Sequence, residues 1–511
     1  MLRKNEGKQL NFYSVLYQNI PENHILKTIN SAISFEFINE MLKDSYSKNL
    51  GRPAKEPEMV AKLLILQELY GLSEIKVIEE TQINLAYMWF IGINPGDKLP
   101  HPSLLSKFKE LRLKDVTLDD ILTEVVRQCV EKGIVKAEDG VSIDATHIAA
   151  NTVKKVPERI MKILAKKIFK AMEQTDYEIP DYTQIEDHNE AKRVMKEYLE
   201  DVMDEADERA KDEVEKAKEI IESPLFIEQK GIRSTVDTDA RVGYKTKTDS
   251  FFGYKAEFTM TTASQIITAV SVHNGAYVDG TDFDGLYELT KKAGIDVDAI
   301  FGDKAYFKKA ILDILQRDGV KAYIPVSASS YHINEELYSY NKDSDQWFCV
   351  RGNMTISKKL KTTNRKDRGE TTNYEYTFDK TGCIGCPLRE ECIKKANTKA
   401  KKLAVGTNAS EYYEHSQWAK TDEFIEEYKK RASIESKNSE LKRFHGLARA
   451  KGFGLRSVSI QAKLAALAVN LKRIATLVSS SEPIFTVVFI DFRYAFIDFG
   501  VFLLTFDVFL Y

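Results

Sequence analysis

Cysteine is scarce in this chain: five of 511 residues are Cys, too few for a disulfide framework in a protein of this length. That content fits a reducing compartment such as the cytoplasm, or a metal site. The run MLRKNEGKQLNFYSVLYQN at the start has no apolar stretch of about 7–15 residues before a small-residue cleavage site, so no secretory signal is expected. A large net charge is also missing, because 74 Lys and Arg face 77 Asp and Glu, a formal net charge of −3. This balance alone gives no indication of a nucleic-acid partner, since such proteins are usually basic.

The composition that is present indicates a folded protein of several domains. A hydrophobic content of 43% and a charged content of 30% exclude wholesale disorder and a membrane-embedded body. Residues 1–135 are predicted to form a helical domain, in which Gly71 ends one helix and Ser73 caps the next. Two interpretations of this domain stay open, a helix-turn-helix-like DNA-binding bundle and a plain helical packing domain. The apolar periodicity on which it rests runs through Ile25–Leu42, Met59–Leu69, Ile75–Ile83 and Leu104–Leu111.

Residues 136–480 are predicted to form an α/β domain with a mixed sheet. Its first strand lies in GVSIDATHIAAN at 140–151 and carries Asp144 on a polar face. Two insertions interrupt the domain: a charge-dense helical hairpin or coiled coil at 155–225, and a loop- and strand-rich segment at 327–415 that holds four of the five cysteines. The further strands are predicted at Phe251–Thr262, Gln265–Val272, Ala299–Phe301 and Ala322–Val326, and the further helices at about 281–293, Lys308–Arg317, about 421–445 and Ile460–Leu477.

A late helix carries an unusual combination of side chains. Tyr428, Arg431, Glu435 and Lys442 are spaced at 0, 3, 7 and 14, so on a regular α-helix they fall within about 60° of one another. One face would then present a phenol, a guanidinium, a carboxylate and an ammonium. The alternative is an ordinary surface helix in which Arg431 and Glu435 form an i,i+4 ion pair.

This spacing is that of the Tyr-x2-Arg-x3-Glu-x6-Lys signature, and the chain resembles the DDE transposases of bacterial insertion sequences. The resemblance covers most of residues 13–475. Besides the signature it rests on GRPAKEPEMVAKLLILQELYGLSEIKVIEETQINLAYMWFIGI, LPHPSLLSKFKEL, SIDATHIAANT, DTDARVGYKTKTDSFFGYKAEF and AIFGDKAYF.

The resemblance implies a ribonuclease H-like core in which Asp144, Asp303 and Glu435 are the catalytic residues. Hard carboxylate ligands suit two Mg²⁺ (or Mn²⁺) ions, which would activate a water and stabilise the departing oxygen in an in-line displacement. Tyr428, Arg431 and Lys442 are expected to hold DNA.

The implied function is cut-and-paste transposition on double-stranded DNA. The enzyme binds the terminal inverted repeats of its element, hydrolyses a phosphodiester at each end, and joins the freed 3′-OH to target DNA. A homodimer is expected because both ends must be held together, and the cytoplasm is the expected location. Two alternatives stay open: a domesticated or inactive transposase that only binds DNA, and a metal-dependent nuclease without strand transfer.

His147, three residues after Asp144, is a weaker candidate for a functional residue, since a lone histidine beside a strand end is more often structural.

Four cysteines lie close together in the second insertion. Cys349, Cys383, Cys386 and Cys392 supply the four thiolates that tetrahedral Zn²⁺ needs, although the last spacing is not that of a common zinc ribbon. Free reduced thiols are the alternative. Similar Cys-rich insertions occur in related transposases. Cys129, on an apolar helix face, is expected to be buried in the core.

The end of the chain, 481–511, differs from the rest because phenylalanine recurs there every three or four residues. Asp491, Arg493, Asp498 and Asp507 interrupt it, and no uncharged run approaches about 18 residues, so no membrane span is expected. An appendage beyond the family's usual end is the favoured interpretation, against a packing helix or a membrane-surface helix.

The near-neutral total charge also hides a contrast: residues 171–225 carry 7 basic and 19 acidic side chains, whereas residues 351–456 carry 24 basic and 14 acidic.

Overall fold

A computed structural model gives the fold of residues 12–47, 54–113, 115–223, 226–227, 231–246, 248–365, 369–393 and 398–481. The Phe-rich segment 484–511 and the predicted break at 51–53 lie outside these residues.

The first part of the described chain is helical, which confirms the prediction. Ser73 accepts a hydrogen bond from the backbone N–H of Lys76 and so caps α5, while Gly71 ends α4 in the left-handed conformation at φ 64°. Asn84 caps α6 in the same way, through the N–H groups of Ala86 and Tyr87. Side-chain caps of this kind replace the partners that the first turn of a helix lacks. The helices are α1 (Phe12–Tyr17), α2 (Ile25–Ala32), α3 (Phe37–Leu42), α4 (Pro57–Tyr70), α5 (Glu74–Ile83), α6 (Leu85–Ile91), α7 (Ser103–Leu111) and α8 (Asp115–Glu131).

The largest sheet of the described chain has six strands, and its mixed strand directions confirm the predicted mixed sheet. The strand order is β2-β3-β1-β5-β6, and β4 also pairs with β3. β1 runs antiparallel to β3 and parallel to β5, and β5 runs parallel to β6. The short strand β2 was not predicted. The strands are β1 (Glu138–Ala149), β2 (Arg241–Tyr244), β3 (Ser250–Thr261), β4 (Ile267–Asn274), β5 (Asp296–Phe301) and β6 (Lys321–Tyr323), with helices α12 (Phe283–Lys292) and α13 (Lys309–Arg317) between them.

The charged insertion folds around an apolar cluster of its own. Its three helices are α9 (Pro157–Ala171), α10 (His188–Asp204) and α11 (Lys211–Ile221). Ile160, Met195 and Ile220 are among the buried members of that cluster. The insertion is thus a small three-helix unit, whose apolar faces pack together and whose charged faces meet solvent.

The cysteine-containing insertion is built from short strands and single helical turns. Strands β7 (Tyr338–Asn341) and β8 (Gln346–Cys349) form one pair, and β9 (Thr355–Arg365), β10 (Gly369–Phe378) and β11 (Lys402–Gly406) form a second sheet in the order β11-β10-β9. The helical turns are α14 (Lys380–Cys383) and α15 (Arg389–Cys392).

Four helices complete the described chain: α16 (Ala409–Trp418), α17 (Asp422–Tyr428), α18 (Ala432–Phe444) and α19 (Leu455–Ser481). α19 contacts α2, α4 and α8 on one side and β4 on the other, so one continuous hydrophobic core joins the first helices to the sheet. The buried side chain of Asn470 on α19 binds both backbone polar groups of Ile267 in β4. The predicted boundary at 135/136 falls between α8 and β1 and stays a prediction. None of the helices in the described part of the chain is long and apolar enough to cross a membrane.

Candidate active site

Asp144 lies in the middle of the central strand β1, underneath helix α18. Its side chain is only 16% exposed. One carboxylate oxygen, Oδ1, accepts from Nη2 of Arg431 at 3.2 Å, and the other, Oδ2, accepts from Nδ2 of Asn438 at 2.8 Å. Both donors lie on or next to the first turns of α18, so packing of this helix against β1 fixes the Asp144 carboxylate.

Asp303 lies beside Asp144 because of the register between two parallel strands. Ser142 of β1 pairs with Phe301 of β5, and each Asp follows its paired residue by two positions. Neighbouring strands are about 4.8 Å apart. The Asp303 carboxylate accepts from the backbone N–H of Ala305 at 2.8 Å, and so caps the 3₁₀ turn Lys304–Tyr306.

Glu435 lies on α18, and its side chain is 59% exposed. Its carboxylate accepts from Nη1 of Arg431 at 2.5 Å. The guanidinium of Arg431 therefore bridges Glu435 and Asp144, two carboxylates that are 291 positions apart in the sequence.

The three carboxylates influence one another through space. Burial raises the pKa of Asp144 to about 6; Arg431 opposes this rise, and the negative charges of Asp303 and Glu435 add to it. A cation at this place would relieve that repulsion, and carboxylate oxygens are ligands of the type that Mg²⁺ binds. The donor set therefore fits magnesium in chemistry and charge. The geometry is a different matter: within the described residues, no three His, Cys, Asp or Glu side chains are grouped closely enough to hold a metal ion.

Tyr428 and Arg431 do not lie on the same regular helix as Glu435 and Lys442, so the prediction of one continuous α-helix is wrong. α17 ends at Tyr428, Lys429–Arg431 form a 3₁₀ turn, and α18 begins at Ala432. The side chains still meet. The phenol of Tyr428 stacks on Phe424 with ring centroids 5.7 Å apart; burial raises its pKa, and the nearby charge of Asp303 raises it further against the effect of Arg431.

Lys442 of α18 lies beside His147 of β1. Its Nζ is 3.3 Å from Nδ1 of His147. Burial lowers the pKa of His147 to about 4, with Lys442 and Lys245 contributing. Burial also lowers the pKa of Lys442 to about 8, again with a contribution from Lys245. The ammonium of Lys245, which pairs with Asp249 at 3.5 Å, thus disfavours the charged form of Lys442, and an anion beside Lys442 would stabilise that form.

Sequence reasoning missed two groups of residues at this site. One is Asn438, whose amino-acid type gives no signal of its own. The other centres on Glu257 of β3, a fully buried carboxylate that accepts from the hydroxyls of Tyr277 at 2.6 Å and Tyr306 at 2.9 Å. Tyr306 ends the turn that Asp303 caps. Glu257 and Tyr306 lie in GYKAEF and GDKAYF, two of the segments that resemble the transposase family, and this resemblance could have indicated both residues.

The four predicted zinc ligands lie in the second insertion, and three of them lie near Tyr338. Sγ of Cys392 is 3.8 Å from the hydroxyl of Tyr338, and Cys349 and Cys383 also raise the pKa of that tyrosine, after the larger effect of its burial. Cys386 is half-buried in the turn between α14 and α15. In the part of the chain that the structure describes, these cysteines are not grouped closely enough for three of them to hold a metal ion. Cys129 is fully buried, which confirms its assignment to the core.

Two segments of the chain match families of transposase domains. Residues 14–111 match a transposase domain (DUF772), and residues 348–475 match a transposase DDE domain. The second segment contains Tyr428, Arg431, Glu435 and Lys442, together with the four cysteines.

No curated protein matches the chain. Among solved structures, a cryo-EM structure of a piggyBac transposase synaptic complex with hairpin DNA is similar over 92% of this chain and 76% of that chain, at 11% sequence identity and a TM-score of 0.28. The two domain matches carry the assignment, because both describe transposases and the second spans the Tyr-Arg-Glu-Lys signature. The two matches support a DDE transposase of the insertion-sequence type.

Proposed function

We propose that this protein is an active cut-and-paste transposase that binds the inverted repeats of its own element, hydrolyses the DNA ends and joins the 3′-OH to target DNA. The observation that carries the proposal is that Asp144, Asp303 and Glu435 lie near enough to influence one another, although in this conformation they are not grouped closely enough to hold a metal ion. They come from a central strand, the end of the neighbouring parallel strand and a later helix, and the charges of the last two raise the pKa of the first. A ribonuclease H-like core is part of the proposal, and the central position of β1 between antiparallel β3 and parallel β5 supports it.

Asp144, Asp303 and Glu435 would hold two Mg²⁺ (or Mn²⁺) ions, which when bound activate a water and stabilise the leaving oxygen of a phosphodiester. The chain's own part in the reaction is to fix these three carboxylates and to position the DNA. Hydrogen bonds from Arg431 and from Asn438 of α18 to its two oxygens orient the Asp144 carboxylate. Positioning and electrostatic stabilisation of the phosphoryl centre account for most of the catalysis in such reactions.

Lys442, Arg431 and Tyr428 would bind the DNA backbone and an unpaired base. Lys442 has a lowered pKa because of burial and because Lys245 is near, so a phosphate oxygen between the two would stabilise both ammonium groups. Arg431 can neutralise a phosphate, and the ring of Tyr428 can stack or donate. The net charge of +10 over residues 351–456, with 24 basic and 14 acidic side chains, would steer DNA toward these groups. A homodimer that holds two DNA ends completes the proposal.

The test is cleavage of a labelled element end in Mg²⁺, followed by a strand-transfer assay with plasmid DNA. Wild type is compared with Asp144→Asn, Asp303→Asn and Glu435→Gln, and we expect each variant to lose more than about a hundredfold of the cleavage rate. The matched controls are Asp298→Asn on β5, the strand that precedes Asp303, and Glu426→Gln on α17, the helix that precedes Arg431 and Glu435. Both control side chains are exposed, and both variants should cleave normally.

The outcomes separate the alternatives. Normal cleavage by all three variants would refute the active-site assignment. Cleavage without joining would indicate a nuclease, and binding of the element end without cleavage by the wild type would indicate a DNA-binding protein.

A zinc ion on Cys349, Cys383, Cys386 and Cys392 is a second, structural part of the proposal. The proximity of three of these thiols to Tyr338 supports it. The purified protein should then contain about one zinc per chain by elemental analysis, and Cys383→Ser should lose it. A zinc-free wild type of full stability would contradict this assignment.

A further inference from the structure

Asn438 binds the central carboxylate of the proposed site directly. It lies on α18 three residues after Glu435, so the two residues are neighbours on the surface of this helix. Its Nδ2 donates to Oδ2 of Asp144 at 2.8 Å, and the residue is 7% exposed. Among the described residues, only Asp144 accepts a hydrogen bond from the side-chain amide of Asn438.

The amide has properties that the neighbouring guanidinium lacks. Arg431 is shared between Asp144 and Glu435, and phosphate groups compete for a guanidinium. Asn438 is neutral, so DNA does not draw it away. It can orient Asp144 without cancelling the negative charge that a divalent cation needs.

The other end of the amide is unusual as well. Oδ1 of Asn438 is buried and has no hydrogen-bond partner among the described residues. A buried amide oxygen without a partner is unfavourable by roughly 1–3 kcal/mol, so an ordinary packing residue at this position would be expected to be apolar. The retained amide therefore indicates that its donor group is needed.

We propose that Asn438 is a positioning residue that holds the Asp144 carboxylate in the orientation needed to bind a divalent cation. The inference rests on the proposed function, since it takes Asp144 to be a metal ligand. Residues that hydrogen-bond a metal ligand from outside the coordination sphere typically change metal affinity by about 10–100-fold when they are removed. Asn438→Ala should therefore weaken Mn²⁺ binding by about that factor, and Asn438→Asp should weaken it at least as much, since an ionised carboxylate cannot donate to Asp144.

The experiment measures Mn²⁺ affinity of the full chain by electron paramagnetic resonance, with cleavage rate and thermal unfolding recorded in parallel. Wild type is compared with Asn438→Ala, Asn438→Asp and Asn438→Ser, the last of which keeps a donor. Ser439→Ala is the matched control, because Ser439 is the next residue on the same helix and is exposed. We expect the order of affinity to be wild type and control first, Asn438→Ser next, and Asn438→Ala and Asn438→Asp last.

A double variant separates positioning from packing. Asp144→Asn combined with Asn438→Asp keeps a hydrogen-bonded amide–carboxylate pair but exchanges its two members. Thermal stability should return toward that of the wild type, whereas Mn²⁺ affinity and cleavage should not return.

Two results would overturn the inference while leaving the proposed function intact. The first is a loss of Mn²⁺ affinity in Asp144→Asn without any loss in Asn438→Ala. The second is equal affinity in Asn438→Ala and Asn438→Ser, since the donor would then not matter. If Asp144→Asn itself binds Mn²⁺ and cleaves like the wild type, the proposed active site is wrong, and the role of Asn438 falls with it.

Discussion

Replacing Asp144 with Asn should make the folded protein more stable at neutral pH while abolishing its activity. Burial, opposed by Arg431 and reinforced by Asp303 and Glu435, raises the pKa of Asp144 from its ordinary 3.8 to about 6. Each pKa unit corresponds to about 1.4 kcal/mol, so ionising this carboxyl is about 3 kcal/mol less favourable in the folded protein than in the unfolded chain. Asp144→Asn removes this unfavourable free energy of ionisation, because an amide does not ionise. The gain should be about 1–3 kcal/mol, because an amide accepts less well from Arg431 and Asn438 than a carboxylate does.

The sign of the pH dependence follows from the raised pKa. Between about pH 4 and pH 6 the folded state keeps a proton on Asp144 that the unfolded chain has lost, so the stability of the wild type falls as the pH rises through this window. The advantage of Asp144→Asn should therefore be small at pH 4, grow up to about pH 6 and stay constant above it.

The assay is urea unfolding at pH 4.5, 5.5, 6.5 and 7.5 for wild type, Asp144→Asn and the control Asp298→Asn. Asp298 is exposed on β5, so its substitution should give a difference that varies little with pH. Adding Mg²⁺ should raise the unfolding midpoint of the wild type but not that of Asp144→Asn, because a ligand stabilises only the state that binds it. If Asp144→Asn destabilised the protein equally at every pH, the electrostatic reasoning would be refuted.

Three further predictions concern other parts of the structure. Asn470→Leu should lower the free energy of unfolding by about 2–4 kcal/mol, because the buried N–H and C=O of Ile267 lose both partners; an unchanged urea midpoint would contradict this. Lys442→Ala should weaken binding to element-end DNA and to unrelated duplex DNA by similar factors, and it should reduce the slope of log Kd against log salt by about 1. An unchanged slope would show that the Lys442 ammonium contacts no phosphate. Tyr306→Phe removes a hydrogen-bond donor to buried Glu257 and should lower the free energy of unfolding by about 1–3 kcal/mol. Urea unfolding measures this change, and a stability equal to that of the wild type would show that this hydrogen bond is dispensable.

Local sequence patterns sufficed for most of the secondary structure. The cap at Ser73, the stop at Gly71 and the period of apolar residues between them and Ile83 place α5 within one residue of where it lies. The strand predicted at Phe251–Thr262 is β3, displaced by one residue. Such features depend on neighbours within one or two turns, which is why periodicity alone can locate them.

The signature segment shows where periodicity stops being informative. Its spacing was interpreted on an ideal helix of 100° per residue, but Lys429–Arg431 form a 3₁₀ turn, in which each residue turns by about 120°. Apolar periodicity averages over a whole helical turn, so it does not distinguish a 3₁₀ turn from a turn of α-helix. The side chains converge nonetheless, because Arg431 reaches from this turn to both Glu435 and Asp144.

The composition of the site could be predicted only from the family resemblance, and its geometry not at all. Asp144 and Asp303 are neighbours through the pairing of Ser142 with Phe301, and the register between distant strands leaves no trace in local patterns. Asn438 shows the same limit more sharply. An asparagine in a helix is usually exposed, and only the packing of α18 on β1 makes this one a partner of a carboxylate.

Stability and activity are in conflict around Asp144. Three buried polar atoms with no hydrogen-bond partner among the described residues surround it: Oγ of Ser142 on the same face of β1, Nε of Arg431 and Oδ1 of Asn438. Each is unfavourable by roughly 1–3 kcal/mol in a folded protein, in addition to the ionisation of Asp144 itself. A chain selected for stability alone would place apolar side chains between β1 and α18. Polar atoms without partners beside Asp144 fit a site that receives a charged ligand, since that ligand and its water would supply partners for them.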